Sequence, residues 1–197
     1  MTMTHDLSDA ALVTAALEGS HDAFAHLVRR NQNAMYRYGL ALGLDGDTTL
    51  DLLQDTFVKA WERLRQCRDR EHVRAWLFRI FRNAMLDWRR DVRRTEVPIA
   101  AVAEPSDGED WPERHALGDA IGTALAALPP ILREAFLLRH DAGHSFEEIS
   151  ETTGISLSAA KMRVVRAREA LREALAPDYG VAANETENVT WAGSRSS

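Results

Sequence analysis

The chain has a single cysteine, Cys67, so neither an internal disulfide nor a Cys-based zinc knuckle can staple it, which suits a reducing compartment. Aromatic residues make up only 7% of its 197 positions. No run approaches the roughly 18 apolar residues of a membrane span, so no membrane insertion is expected. The stretch from Met1 to Asp9 lacks the basic and apolar parts of a signal peptide, and the chain is expected in the cytoplasm. Walker, GxSxG, HExxH and GxGxxG patterns are also missing, so an enzyme is not expected, and neither is a catalytic residue, a metal or a cofactor. His140 and His144 stand four apart, but Gly143 interrupts them and no cysteine joins, so they read as capping or surface residues.

What is present is charge, unevenly placed. The formal total is −6, and 22 of the 24 cations are arginine. Residues 1–58 hold 3 basic and 8 acidic side chains, whereas residues 59–94 hold 12 basic and 5 acidic ones. A local basic face of this kind is the electrostatic footprint of nucleic-acid binding even on an acidic chain. Residues 95–120 reverse the sign, setting Arg114 against seven carboxylates among Pro98, Pro105, Gly108 and Pro112, which reads as a solvated linker. A second basic run holds Lys161, Arg163, Arg166, Arg168 and Arg172. Beyond Pro177 the tail is polar and is expected to be disordered.

Apolar spacing near 3.6 residues predicts helices throughout, with no alternating strand pattern. One helix carries Phe24, Leu27, Val28, Ala34, Met35 and Tyr38 and ends near Gly43. The next opens at Thr48–Asp51, which resembles a capping box, and turns Leu50, Leu53, Phe57, Ala60 and Leu64 inward. After a polar loop at 66–72, a third runs from about Val73 to Arg90. Beyond the linker, Ala120–Leu128 is helical, and Pro130 opens a helix to about Asp141. Ser145 and Glu148 form a capping box, Gly154 supplies a turn, and a longer helix follows Ser156. Helix, glycine turn, helix is the helix-turn-helix pattern, in which the second helix enters the major groove.

These signals have plain alternatives. Arginine-rich solvent faces also occur on helical hairpins that bind nothing. Trp76, Phe81 and Trp88 among arginines suit base stacking, yet they fall near the apolar stripe that marks core. Arg65, Arg68 and Arg70 beside Cys67 would lower its pKa if it were a redox thiol, whereas a lone cysteine is more commonly passive.

The order of motifs resembles the extracytoplasmic-function sigma factors of bacterial RNA polymerase. The resemblance rests on Asp51-Leu-Leu-Gln-Asp-Thr-Phe-Val-Lys-Ala-Trp-Glu62 with Arg74-Ala-Trp-Leu-Phe-Arg-Ile-Phe-Arg-Asn-Ala-Met-Leu-Asp87, similar to region two. It rests also on Leu128-Pro129-Pro130, Ser145-Phe-Glu-Glu-Ile149 and Lys161-Met-Arg-Val-Val-Arg-Ala-Arg168, similar to region four. It implies an all-α fold of two small helical domains joined by a flexible acidic linker. The divisions are 1–21, an N-terminal extension; 22–94, region two; 95–119, linker; 120–176, region four; and 177–197, tail. It implies that Asp51, Gln54, Asp55, Phe57 and Trp61 dock on core polymerase. Cys67, Arg68, Asp69, Arg70, Glu71 and His72 would hold a flipped base of the minus-10 promoter element, with Trp76, Arg79 and Asn83 helping to open the duplex. Arg139, Ser158, Lys161, Met162, Arg163, Val165 and Arg166 would meet the minus-35 element. The implied function is transcription initiation at specific promoters, with promoter DNA and core polymerase as partners and an anti-sigma factor as restraint. The alternatives are a stand-alone helix-turn-helix regulator and a helical adaptor for acidic proteins.

Overall fold

A computed structural model describes residues 7–95 and 116–179, and all the regular structure among them is helical. Most of the expected linker and tail therefore lies outside the described residues. The elements are α1 (Asp9–Leu17), α2 (His21–Ala41), α3 (Gly46–Glu62), a 3-10 turn (Leu64–Gln66), α4 (Val73–Thr95), α5 (Ala116–Ala127), α6 (Pro130–His140), α7 (Phe146–Thr153) and α8 (Leu157–Tyr179).

Helix α1 was not marked by periodicity, because its buried Leu12, Val13 and Ala16 stand among further alanines and leave little polar face. Ser8 caps it, and the Asp9–Arg30 ion pair at 2.7 Å ties it to α2. The expected cap at Thr48 is corrected: Asp45 is the N-cap of α3, its carboxylate accepting from Thr48 N and Thr48 Oγ1, each at 2.8 Å. A carboxylate at this position satisfies an orphan amide and favours the positive end of the helix. Helix α4 continues past the expected end near Arg90 to Thr95, since nothing before Pro98 breaks it. In the second half, Pro130 stands in the first turn of α6, and Ser145 with Glu148 makes both bonds of the capping box on α7. Gly154 closes α7 at φ 71°, a left-handed conformation that costs other residues about 1 kcal/mol or more.

One core runs through both halves. Leu12, Leu27, Met35, Tyr38, Phe78 and Phe81 belong to the same buried cluster as Leu137, Leu138, Ile149 and Val164. Each large side chain buried there stabilises by about 1.5–3 kcal/mol. A smaller cluster of Ala124, Leu128, Ala167 and Leu171 holds α5 on α8. Cations from distant helices finish α2: Arg89 donates to the Leu42 carbonyl and Arg133 to the Ala41 carbonyl at 3.0 Å.

Candidate functional site

The polar loop between the 3-10 turn and α4 bends around a cavity of about 360 Å³. Its walls include Cys67, Arg68, Asp69 and His72 from the loop and Trp76 and Arg79 from α4. Glu151 and Thr152 of α7 complete it. Asn83 is exposed on α4 beyond the cavity, on the face that Trp76 and Arg79 share by their spacing of three and seven residues. Arg70 leaves the cavity, donating to Thr14 Oγ1 of α1 at 2.8 Å, and Glu71 is exposed with its amide on Asp69 Oδ1. The room, the half-buried Trp76 ring and the exposed Arg79 guanidinium provide a stacking surface beside a cation, as an unpaired base and its phosphate require.

Local chemistry shapes this loop. Asp69 Oδ2 lies 2.9 Å from His72 Nδ1, which lowers the carboxyl pKa and raises that of the imidazole. The expected lowering of the Cys67 pKa is corrected. Burial, with Asp69 adding to it, pushes the thiol up, and Arg79 and Arg70 only partly oppose this. The thiol donates to the Asp69 carbonyl at 3.3 Å, so its role is to hold the turn.

Helix α8 presents Ser158, Lys161, Met162, Val165 and Arg166 to solvent on one side, while Ala160, Val164 and Ala167 are buried on the other. Ser156 Oγ accepts from the Ala159 amide and caps its start. Met162 and Val165 are 49% and 43% exposed, apolar surface on a cationic helix of the kind that meets thymine methyls in a groove. Arg163 is half-buried at the edge of this face. Arg139 adjoins it across Phe146: its guanidinium donates to the His144 carbonyl at 2.8 Å and lies over the Phe146 ring at 4.7 Å, the ring that Lys161 Nζ also overlies at 5.9 Å.

On α3, Asp51, Gln54 and Asp55 are exposed, and Phe57 and Trp61 are half-buried. Trp61 turns toward α2, stacked on His21 at 4.9 Å and edge-on to Phe24 at 5.1 Å. Leu50, expected inside, is 51% exposed, and Val58 is 59% exposed. The four inward positions Thr49, Leu53, Thr56 and Ala60 already complete the buried seam of α3, which leaves Leu50 outside it. Sequence reasoning missed Val58, whose signal was an apolar residue amid Asp55, Lys59 and Glu62. Acidic and apolar groups together suit a protein surface better than DNA.

His144 is corrected from a surface residue to a core one, only 1% exposed and edge-on to Phe78 at 4.9 Å. Burial holds its pKa below the ordinary value, and Arg74 lowers it further against the Ala142 carbonyl and Glu148. Among the described residues no group of three His, Cys, Asp or Glu side chains could hold a metal ion, and no helix is long and apolar enough to cross a membrane.

Family models for "Sigma-70 region 2" and "Sigma-70, region 4" match residues 27–95 and 118–171. The ECF RNA polymerase sigma factor SigE of Mycolicibacterium smegmatis is 32% identical over 182 residues, covering 86% of this chain and 70% of that protein. The probable RNA polymerase sigma factor RfaY of Xanthomonas campestris is 30% identical over 184 residues, 88% of this chain, which spans only 46% of RfaY. Among solved structures, the sigma factor RpoE of Bartonella quintana, in complex with the anti-sigma factor NepR, is similar at a TM-score of 0.63. It is 30% identical, over 79% of this chain and 98% of that one.

Proposed function

The chain belongs to the ECF group of RNA polymerase sigma factors, and from that premise we propose that it directs core polymerase to its promoters through three separate faces. The face of α3 around Asp51, Gln54, Asp55 and Val58 docks on core polymerase, with Phe57 and Trp61 fixing its backbone from beneath. The cavity at Cys67–His72 takes a flipped base of the minus-10 element against Trp76 and Arg79, and Asn83 guides the strand along α4. Lys161, Met162, Val165 and Arg166 read the minus-35 element in the major groove, with Ser158 at the phosphates by the start of α8. Arg163 supports this face from its edge, and Arg139 positions the α6–α7 turn.

Sigma factors are DNA-binding initiation factors, and this one performs no reaction of its own, working in the cytoplasm where the polymerase is. An anti-sigma factor restrains it, as NepR binds RpoE of Bartonella quintana. The observation that carries the reading is the occurrence of both sigma regions in order, each with an exposed face of the fitting chemistry. Nothing favours a stand-alone regulator or an adaptor.

The test is run-off transcription from a randomised promoter library with purified core polymerase. Transcripts that depend on the protein and share two upstream motifs are expected. Asp55→Arg is expected to weaken core binding while leaving duplex DNA binding through α8 intact; unchanged core affinity would remove α3 as the docking face.

A further inference from the structure

Phe146 belongs to none of the three faces, yet two cations of the minus-35 region meet on its ring. It is the first residue of α7, set there by the Ser145 cap, and it is half-buried at the edge of the main core. The Arg139 guanidinium of α6 lies 4.7 Å from its ring centroid, and Lys161 Nζ of α8 lies 5.9 Å from the same centroid. A ring face attracts a cation within about 6 Å, so Arg139 stands well inside that reach and Lys161 at its limit. Arg139 has a second tie, the bond from Nη1 to the His144 carbonyl at 2.8 Å, and its remaining N–H donors bond nothing else among the described residues.

What holds these two cations matters as much as where they stand. Elsewhere carboxylates orient the arginines: Asp141 holds Arg37 and Glu134 holds Arg82. Arg139 and Lys161 have no carboxylate within ion-pair distance among the described residues. A carboxylate would fix a cation, but it would also offset the charge and repel an incoming phosphate. The face of a ring is uncharged, so it fixes the cation and leaves the whole charge for a phosphate. It also narrows the rotamers of a long, flexible side chain before binding, which lessens the entropy lost when DNA arrives. Because the two like charges share one ring, they stay side by side although they repel.

We propose that Phe146 is a positioning residue of the minus-35 interface, whose ring aligns Arg139 of α6 with Lys161 of α8 as one pair facing the phosphates of duplex DNA. This rests on the reading of α8 as the face that meets the duplex. Phe146 acts through the two cations, Arg139 more than Lys161, as their distances require.

The full-length chain tests it by fluorescence anisotropy with two probes, a short duplex pool of random sequence and a duplex carrying the upstream motif recovered by run-off transcription. Trifluorophenylalanine at position 146 keeps the ring nearly constant in shape while fluorine draws electron density from its face. Binding of both probes is expected to weaken about fivefold, and the salt slope to fall by about one phosphate contact. Phe146→Tyr keeps the ring face and should stay within about twofold of the parent. Phe146→Leu should match the fluorinated chain, and should it lose its helical circular dichroism the fluorinated chain decides alone. Packing of Phe146 on the core is separated by a cycle: in a chain carrying Arg139→Gln and Lys161→Gln, fluorination is expected to change binding by less than about 1.5-fold. A fluorinated chain that binds as tightly as the parent overturns the proposal, and so does a loss that persists undiminished without the two cations. The random pool needs no promoter, so the two readings fail apart. Promoter-specific transcripts without a ring effect sink the pair alone, and a ring effect without such transcripts sinks the sigma reading while the pair stands.

Discussion

Gly39 lies in the last turn of α2, buried, where alanine would ordinarily be worth up to about 1 kcal/mol through helix propensity. The packing reverses that sign. A β-carbon on Gly39 would stand 2.6 Å from Thr49 Cγ2 and 3.3 Å from Phe81 Cζ. The methyl cannot swing aside, because Thr49 is fully buried and its hydroxyl donates to the Asp45 carbonyl at 2.6 Å. Overpacking of this kind costs about 1–3 kcal/mol, so Gly39→Ala is expected to destabilise by about 1 kcal/mol net. For a chain of this length that lowers Tm by about 2–4 °C. Thr49→Ser keeps the hydroxyl and deletes the clashing methyl, so the double variant should recover most of what Gly39→Ala loses. Urea and thermal unfolding of the four proteins in the cycle measure the coupling. A Gly39→Ala chain more stable than its parent, or a double variant whose effects merely add, would refute the claim that α2 and α3 are in steric contact here.

Ser145→Ala removes the α7 capping bond to Glu148 N and is expected to cost about 1 kcal/mol, read as a lower urea midpoint at unchanged slope. Stability should also fall with acid through His144. Its Nδ1 faces the Ala142 carbonyl at 3.3 Å and its Nε2 is buried without a partner, and burial holds the folded pKa below the unfolded 6.5. The folded chain then binds fewer protons than the unfolded one, so this contribution is whole above about pH 6.5 and is lost as pH falls through the folded value. Urea midpoints at about pH 7.5 and about pH 5.5 for the parent and His144→Gln check it: the parent should lose more, and equal losses would contradict the assignment. Arg166→Ala is expected to weaken minus-35 duplex binding by about 1–3 kcal/mol, and an equal loss on scrambled duplex would mark a phosphate contact instead.

Local signals were legible where the chain's own neighbours supply the physics. Ser145 and Glu148 satisfy each other's amides three residues apart, and Gly154 stops α7, so the helix-turn-helix could be read directly. The division of α8 into a buried Ala160–Val164–Ala167 seam and an exposed cationic face also follows from period alone. Residues whose role depends on distant segments were not legible. His144 becomes core only because Phe78 of α4 lies against it, and Glu134 is buried only because Tyr38 and Arg82 supply its protons. Leu50 was misassigned because the inward seam of α3 is made of small and polar residues such as Thr49 and Thr56, which hydrophobicity does not flag. Glu151 and Thr152 reach the cavity beside Trp76 and Arg79 by tertiary packing that no local pattern encodes.

The bond from Arg70 to Thr14 joins the polar loop before α4 to the first helix, which lies ahead of the span matched by the region-two family model. A chain trimmed to begin at that span would lose Leu12 and Val13 from the core and release Arg70, an added cation at the mouth of the cavity. Such a fragment should cling to nucleic acid less selectively than the parent, through charge rather than base contact. The span the family model matches and the unit that keeps this loop in shape therefore have different edges, and α1 with the opening of α2 is the difference.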